Sequence, residues 1–246
     1  RKPHRANAGS PGEDSPHARV FLRRSMCRFL IVRSAAPCDP GDILAEFAEM
    51  ARLSRAPDGD IQADGWGIAL RAASGEWRTR KSLRPIWEDA EALARIPATR
   101  LFAVHARSAS FPDQKNDIEF NQPFVAGSRA FVFNGLIRGV SFPRPLAGQT
   151  GAQKIWSLLG PESARGPVDA VLQDGVREII KHAKAVPALN IGLIDVDRIA
   201  VYGHGSDGHP YYRLHVAESG GFVAVCSEPL PGLPFRPLPS GAVITV

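Results

Sequence analysis

The sequence predicts a single α+β domain in which helices cover β-sheets. Its strand-like segments are rich in Val, Ile and Phe on both faces, which is typical of sheets that are buried on both sides. Two pairs of helical segments lie between these strands, so we expect a layered architecture. The chain has 246 residues, enough for a sizeable core, and shows neither an internal repeat nor a linker that would divide it.

The first half of the chain alternates strands with helices. An apolar run predicts a strand over 28–33. A helix then opens at Pro40, because Ile43, Phe47 and Met50 recur on one helical face. A further helix is expected at 87–96, and further strands are expected at 65–70, 76–81, 100–105 and 130–133.

The second half predicts two helices followed by short strands. Thr150 is followed three residues later by Gln153, which forms the pattern of a capping box at a helix start. Pro167 is expected at the first position of another helix, which runs to about Lys184. Gly and Pro turns separate the strands expected at 188–195, 198–203, 211–216, 222–227 and 242–246.

Composition and charge exclude several classes of protein. An apolar content of 44% and a charged content of 22% exclude an intrinsically disordered chain. The net charge is +5, but residues 1–26 hold six basic and two acidic side chains, so the remainder carries only +1. A nucleic-acid binder needs a basic face on its folded body, and we therefore expect no nucleic-acid partner. No apolar run reaches the roughly 18 residues that a membrane span needs, so no membrane association is expected.

The cysteines and glycines indicate neither a metal nor a cofactor. Cys27, Cys38 and Cys226 are too few for a disulfide scaffold and form no C-x-x-C pattern, which indicates a reducing, cytoplasmic setting without a metal site. The segment 203–208 matches the letters of a dinucleotide-binding loop. A strand-like sequence follows it where a helix is required, so we interpret it as a hairpin turn and expect no cofactor.

The sequence changes character at Met26-Cys27. Residues 1–26, dominated by Pro, Gly, Ser and Arg, predict a disordered leader, or else a segment that is mis-assigned or removed. Removal of an initiator Met26 would leave Cys27 with both a thiol and a free α-amine. An α-amine titrates near ~7.7–8.0 and can accept the thiol proton, which yields a nucleophile that carries its own base. The alternative is that Cys27 is a small buried apolar residue at the start of a strand.

Two further motifs each allow a structural and a functional interpretation. His105 and Arg107 end a buried strand, where they either bond to nearby loops or, through the Arg107 guanidinium, hold a carboxylate by two parallel hydrogen bonds. Asn134-Gly135 between apolar runs is a strong hairpin signal. The alternative is that the Asn134 amide and the Gly135 N–H together stabilise an oxyanion.

Taken in order, these residues resemble the class II glutamine amidotransferases, members of the N-terminal-nucleophile hydrolases. The resemblance begins at Met26-Cys27-Arg28 and continues to the end of the chain. Its landmarks are 63–68 (ADGWGI), 104–107 (VHAR), 121–124 (NQPF), 133–137 (FNGLI) and 226–230 (CSEPL).

The resemblance implies a four-layer αββα sandwich over residues 27–246. It implies that Cys27 attacks a glutamine side-chain amide with its own α-amine as the general base, and that Asn134 and Gly135 form the oxyanion hole. It further implies that Arg107 binds the substrate carboxylate. Residues expected to contact substrate with it are His105 and Trp66 from the matched segments, and Gly151 at the start of the helix after the oxyanion residues.

One segment departs from the family pattern. Relatives carry an Asp at the start of the helix after the oxyanion residues, where it accepts the glutamine α-ammonium, whereas Gly151 stands there in this chain. Losing a charged acceptor in a partly buried site costs about 2–5 kcal/mol of binding. We therefore expect either another acceptor or a γ-glutamyl substrate with a modified α-amine. Phe133, where many relatives have His, is a smaller difference.

These observations lead to two functional hypotheses. The first is a cytoplasmic amidohydrolase that cleaves glutamine or another γ-glutamyl amide through a thioester. As an amidotransferase it would need a separate synthetase subunit to receive the ammonia. The second is a catalytically inactive, amidotransferase-like binding or regulatory module, because Cys27 has no free α-amine while residues 1–26 stay attached. A proenzyme that cleaves itself before Cys27 is a third option.

Overall fold

Two β-sheets form the centre of the molecule. The computed structural model describes residues 26–161, 164–196, 198–206 and 209–246. The strands in this part of the chain are β1 Arg28–Cys38, β2 Trp66–Arg71, β3 Trp77–Ser82, β4 Thr99–Ala106, β5 Phe124–Ala126, β6 Arg129–Arg138, β7 Ala185–Asp195, β8 Arg198–Gly205, β9 His215–Ser219, β10 Phe222–Cys226, β11 Arg236–Pro237 and β12 Val243–Thr245. The α-helices are α1 Gly41–Arg52, α2 Ala90–Ala94, α3 Gly151–Leu159 and α4 Val168–His182.

Neighbouring strands are antiparallel in both sheets. The larger sheet has the strand order β11-β9-β10-β1-β4-β2-β3, and the smaller has the order β12-β8-β7-β6-β5. In the larger sheet β1 lies between β10 and β4, and in the smaller sheet β6 lies between β7 and β5. The strands that carry the predicted site residues are therefore interior strands with partners on both sides.

Alternation of side chains along the strands builds four layers. On β1, Leu30 packs with Phe47 of α1 on the outer face, whereas Ile31 packs with Val132 of β6 between the two sheets. On the outer face of the smaller sheet, Phe131 packs against α3 and α4. The order helix, sheet, sheet, helix confirms the predicted αββα sandwich.

Some predicted elements differ in detail from the structure. The helix expected at 87–96 is a 3₁₀ turn, Ile86–Glu88, followed by the short α2, because the backbone of Asp89 between them is not helical. The Asp89 carboxylate accepts a hydrogen bond of 3.1 Å from the Trp66 indole. Pro167 precedes the first residue of α4 instead of occupying it. The strand expected at 211–216 begins only at His215, after a 3₁₀ turn at Pro210–Tyr212.

The Asn134-Gly135 dipeptide does not form a turn. It lies inside β6, where Asn134 pairs with Asn190 and Gly135 pairs with Leu189 of β7. Because this pairing continues on both sides of the dipeptide, the hairpin interpretation is wrong. Both residues instead sit on a continuous strand.

Some predictions fall on residues outside the described ranges. The leader predicted at 1–26 lies there apart from Met26, and so do the last two residues of the predicted turn at 203–208. Within the described ranges, no helix has both the length and the apolarity to cross a membrane. The same ranges contain no cluster of three or more His, Cys, Asp or Glu side chains suited to a metal ion.

Candidate active site

A cavity of about 840 Å³ is lined by residues at the start of β1 and the end of β4 in the larger sheet and by the second half of β6 in the smaller sheet. This volume lies in the upper part of the range for small-molecule sites, about 300–1,000 Å³. The segment 136–146 and the start of α3 complete its wall. Six of the seven predicted site residues line it: Cys27, His105, Arg107, Asn134, Gly135 and Gly151.

Cys27 lies half-buried at the mouth of this cavity, directly before β1. The backbone N–H of Ser108 donates to Cys27 Sγ over 3.4 Å. Burial raises the pKa of the thiol to about 11, and the positive charge of Arg107 offsets only part of that increase. With Met26 still attached, the Cys27 nitrogen is an amide and cannot take the thiol proton. The thiol therefore needs another proton acceptor in order to react at neutral pH.

The residue after Cys27 anchors the start of β1. The Arg28 guanidinium is fully buried, forms an ion pair of 3.0 Å with Glu228 and lies 3.8 Å from the centre of the Tyr211 ring. Glu228 belongs to the 226–230 segment singled out in the sequence. Through the ion pair of Glu228 with Arg28, that segment helps to fix the backbone next to Cys27.

His105 forms part of the cavity floor between the two sheets and is fully buried. Burial and the neighbouring Arg107 lower its pKa to about 3, and a backbone interaction with Phe133 offsets only part of the shift. The imidazole is therefore neutral at physiological pH, and it is a weak base toward a thiol whose pKa is about 11.

Asn134 connects β6 to the proposed nucleophile. Its buried Nδ2 donates a hydrogen bond of 2.7 Å to the carbonyl oxygen of Cys27, which leaves one N–H of the amide for another acceptor. At the next position only glycine fits, because a β-carbon on Gly135 would lie 2.5 Å from the carbonyl oxygen of Ala188 and 2.9 Å from the Phe133 ring.

Arg107 organises the polar loop that follows β4. Its guanidinium is mostly buried and donates to the Asn121 side chain over 3.2 Å and to the Asp117 carbonyl over 3.4 Å. It donates also to the carbonyl oxygen of Gln114. Arg107, which was predicted to bind a substrate carboxylate, thus holds the 108–122 loop in place. Arg107 also lines the cavity.

The sequence patterns did not predict the roles of Asn121 and Gln122. Asn121 also donates to the carbonyl oxygen of Ser82 over 2.7 Å, which joins Arg107 to the β2–β3 hairpin. The Gln122 side chain accepts from the backbone N–H of Phe133 over 2.6 Å and donates to its carbonyl over 3.1 Å. This contact fixes the segment of β6 directly before Asn134. The 121–124 landmark was the available signal, but it gave no role for the side chains.

Trp66, which was predicted to contact substrate, lies away from the cavity. Its side chain is fully buried in the core between α1 and the larger sheet, and it does not line the cavity. Successive residues of a strand face opposite sides, so the neighbour that faces the site loop is Gly67, where a side chain would overlap the Gln122 backbone.

The start of α3 forms the far wall of the cavity. The predicted capping box is present, since Thr150 Oγ1 accepts from the Gln153 N–H over 3.2 Å and Gln153 Oε1 accepts from the Thr150 N–H over 3.1 Å. Gly151 is exposed, and a β-carbon there would meet no atom within 4 Å. The wall therefore has free space at the position where relatives are expected to carry Asp.

The charge of the cavity is positive. Four cationic side chains line it, and among the described residues no Asp or Glu does: the cations are Arg107, Arg138, Arg144 and Lys154. The carboxylates that influence Cys27 most, Asp60 and Asp64, lie outside the lining. Asp64 forms an ion pair of 2.9 Å with Lys115 and accepts a hydrogen bond from the Ala109 N–H.

Comparison with known proteins gives structural matches alone. No family model matches the chain, and no curated protein sequence matches it. A glutamine aminotransferase class-II domain protein from Silicibacter pomeroyi is 18% identical with a TM-score of 0.59, over 89% of this chain and 94% of that one.

Two larger enzymes share the same architecture. Glutamine phosphoribosylpyrophosphate amidotransferase from B. subtilis is 14% identical with a TM-score of 0.59, and a structure described as the allosteric regulatory enzyme of purine biosynthesis is 16% identical with a TM-score of 0.61. Each match covers 89% of this chain but only 49% and 47% of those chains, so this chain corresponds to about half of their length. The chain therefore has the N-terminal-nucleophile hydrolase fold, in the form found in class II glutamine amidotransferase domains.

Proposed function

We propose that this chain is a glutamine-amidotransferase-like amidohydrolase that cleaves the γ-amide of glutamine or of a γ-glutamyl compound through a thioester on Cys27. The observation that carries the proposal is that four residues from the start of β1, the end of β4 and the interior of β6 line one cavity: Cys27, Arg107, Asn134 and Gly135. The working domain in this proposal is 27–246, with Cys27 as its first residue. The similarity of the fold to glutamine phosphoribosylpyrophosphate amidotransferase supports the proposal.

The reaction follows from the positions of these groups. The α-amine of Cys27 takes the thiol proton, and the sulfur attacks the amide carbon. The free N–H of Asn134 and the N–H of Gly135 stabilise the resulting oxyanion. The α-ammonium returns the proton to the leaving nitrogen, and ammonia departs as the thioester forms. Water then hydrolyses the thioester to the carboxylic acid. Arg107 holds the substrate carboxylate throughout.

The α-amine is needed because the described side chains near the sulfur offer no adequate base. His105 has a pKa of about 3, and the thiol has a pKa of about 11 while Met26 is attached. These two values also favour a second candidate function, a binding module without turnover, for any molecule in which Met26 remains bonded to Cys27. In the amidotransferase version of the first function, a synthetase subunit receives the ammonia.

One experiment separates the two candidates. The protein is treated with a diazo-ketone analogue of glutamine, and its intact mass, alkylated peptide and ammonia release are measured. We expect a molecule that begins at Cys27, alkylation of Cys27, and no ammonia release by Cys27→Ala. Cys38→Ala is the matched control, because Cys38 is also half-buried but lies at the far end of β1. A mass that retains Met26, together with amide hydrolysis, contradicts the proposed base.

A further inference from the structure

The cavity has more charge and more apolar surface than the reaction alone requires. Arg107 lies beside Cys27, and its position suits the one carboxylate that the proposed function needs. Arg138, Arg144 and Lys154 also line the cavity, are exposed and form no ion pair within the described residues. In the part of the chain that the structure describes, no carboxylate therefore neutralises these three cations at the cavity rim.

This charge pattern disfavours a substrate ammonium group. Like charges placed together repel one another, more strongly at the buried Arg107 than at the exposed cations, and no carboxylate of the described lining would offset that repulsion. Asp64, which lies outside the lining, is held by Lys115 and the Ala109 N–H. A free amino acid would therefore bring its α-ammonium into a field that repels it.

An apolar lobe extends from the reactive end. The second half of β6 and the segment after it supply the half-buried Leu136, Ile137 and Phe142 to the cavity lining, and α3 supplies the half-buried Leu158. The lobe starts directly after Gly135, so it lies next to the position where the substrate amide is held. The total volume of about 840 Å³ leaves room for a group larger than a glutamine backbone.

We propose, on the basis of the function proposed above, that the substrate is a γ-amide whose α-nitrogen is acylated instead of charged, with an apolar acyl group in the lobe formed by residues 136–146 and α3. Such a molecule carries a carboxylate for Arg107 and no ammonium. Its acyl group packs on Leu136, Ile137 and Phe142, and its net negative charge suits the cationic rim. N-acylated glutamines are the simplest members of this class.

The test compares N-phenylacetyl-L-glutamine with L-glutamine in two separate measurements. Wild-type protein is assayed for ammonia release, and Cys27→Ala is assayed for binding by calorimetry. We expect the acylated amide to have at least about a tenfold higher kcat/KM and at least about a tenfold lower Kd, a factor that corresponds to about 1.4 kcal/mol. Equal or better use of free glutamine overturns the substrate class. Absence of turnover with both amides, together with selective binding of the acylated one, overturns the proposed function alone. Absence of selective binding overturns the class whether or not turnover is seen.

A pair of variants at Gly151 tests the charge argument within the same protein. Gly151→Asp places a carboxylate in the open space on the cavity wall, and an acidic residue in a first helical turn does not weaken the helix. We expect Gly151→Asp to reduce the ratio of kcat/KM for the acylated amide to kcat/KM for free glutamine by about tenfold. Gly151→Asn, which has the same size without the charge, is expected to leave the preference unchanged. Equal effects of the two variants would show that volume and not charge controls selection.

Discussion

The Asn134 side chain donates a hydrogen bond of 2.7 Å to the backbone carbonyl of Cys27, across 107 positions of sequence. This bond joins the smaller sheet to the residue directly before β1 of the larger sheet, at the cavity. One amide group therefore fixes the backbone that carries the sulfur and keeps a second N–H for another acceptor, which in the proposed reaction is the oxyanion.

Asn134→Ala is expected to lower kcat for ammonia release by about 10²–10³, because it removes an oxyanion donor. The matched control is Asn190→Ala. Asn190 is a buried partner of Asn134 on β7, but its side chain bonds to the Tyr212 carbonyl and does not line the cavity. Both variants should lose stability to urea to a similar extent. If both also lose activity to the same extent, the role assigned to Asn134 is structural only.

Gly135→Ala is expected to destabilise the protein by about 1–3 kcal/mol, because the added carbon overlaps the Ala188 carbonyl on the adjacent strand. Gly151→Ala is the matched control. Its added carbon meets nothing, and replacing glycine at a helix start restricts the unfolded chain, so stability should rise by about 0.4–1 kcal/mol. Urea unfolding monitored by tryptophan fluorescence measures both changes. A Gly135→Ala protein as stable as the wild type would show that β6 and β7 are less closely paired here.

Arg107→Lys is expected to raise KM by about tenfold or more, because a point charge replaces a planar fork. The lost contacts with Asn121 and the 114–117 carbonyls should also loosen the loop, which limited proteolysis within 108–122 would detect. Arg71→Lys serves as a control, since Arg71 donates to the Ser128 carbonyl away from the cavity. An unchanged KM with a loosened loop assigns Arg107 to loop structure only.

His105 is expected to make the protein sensitive to acid. An unfolded histidine takes up a proton near pH 6.5, whereas the folded His105 resists protonation down to about pH 3. The unfolded state therefore binds more protons between these values, and folding stability falls as the pH is lowered from about 6.5 toward 3. His105→Gln should reduce the loss of unfolding free energy between pH 7 and pH 4.5, and His204→Gln should not. Parallel pH profiles for the wild type and both variants would contradict this assignment.

The sequence predicted features that depend on neighbouring residues more reliably than features that depend on distant ones. The capping box of Thr150 and Gln153 was predicted correctly because it needs only a spacing of three positions. Most strands were predicted correctly because apolar runs are local. The prediction of a hairpin at Asn134-Gly135 was wrong, because β6 pairs with β7 both before and after this dipeptide, and this pairing overrides the local turn preference.

The site was predicted in part, through the order of its motifs. That order brought Cys27, Arg107 and Asn134 together correctly as lining residues, although composition and periodicity alone carried no such information. Trp66 was misassigned because a motif does not state which face of its strand a residue occupies. The cationic rim was not foreseen, since Arg138, Arg144 and Lys154 come from separate elements that only the folded chain brings to one wall.

The side chain of Met26 is almost fully buried, in contact with Ala56, Ala188, Tyr211 and Tyr212. If the working molecule starts at Cys27, maturation empties this apolar socket directly beside the newly formed amino terminus. A large-to-small change of this kind in a core costs about 2–5 kcal/mol. The mature form should therefore melt at a lower temperature than its precursor, which a calorimetric scan of the two forms would measure. The free α-amine that the proposed reaction needs would then be gained at the expense of thermal stability.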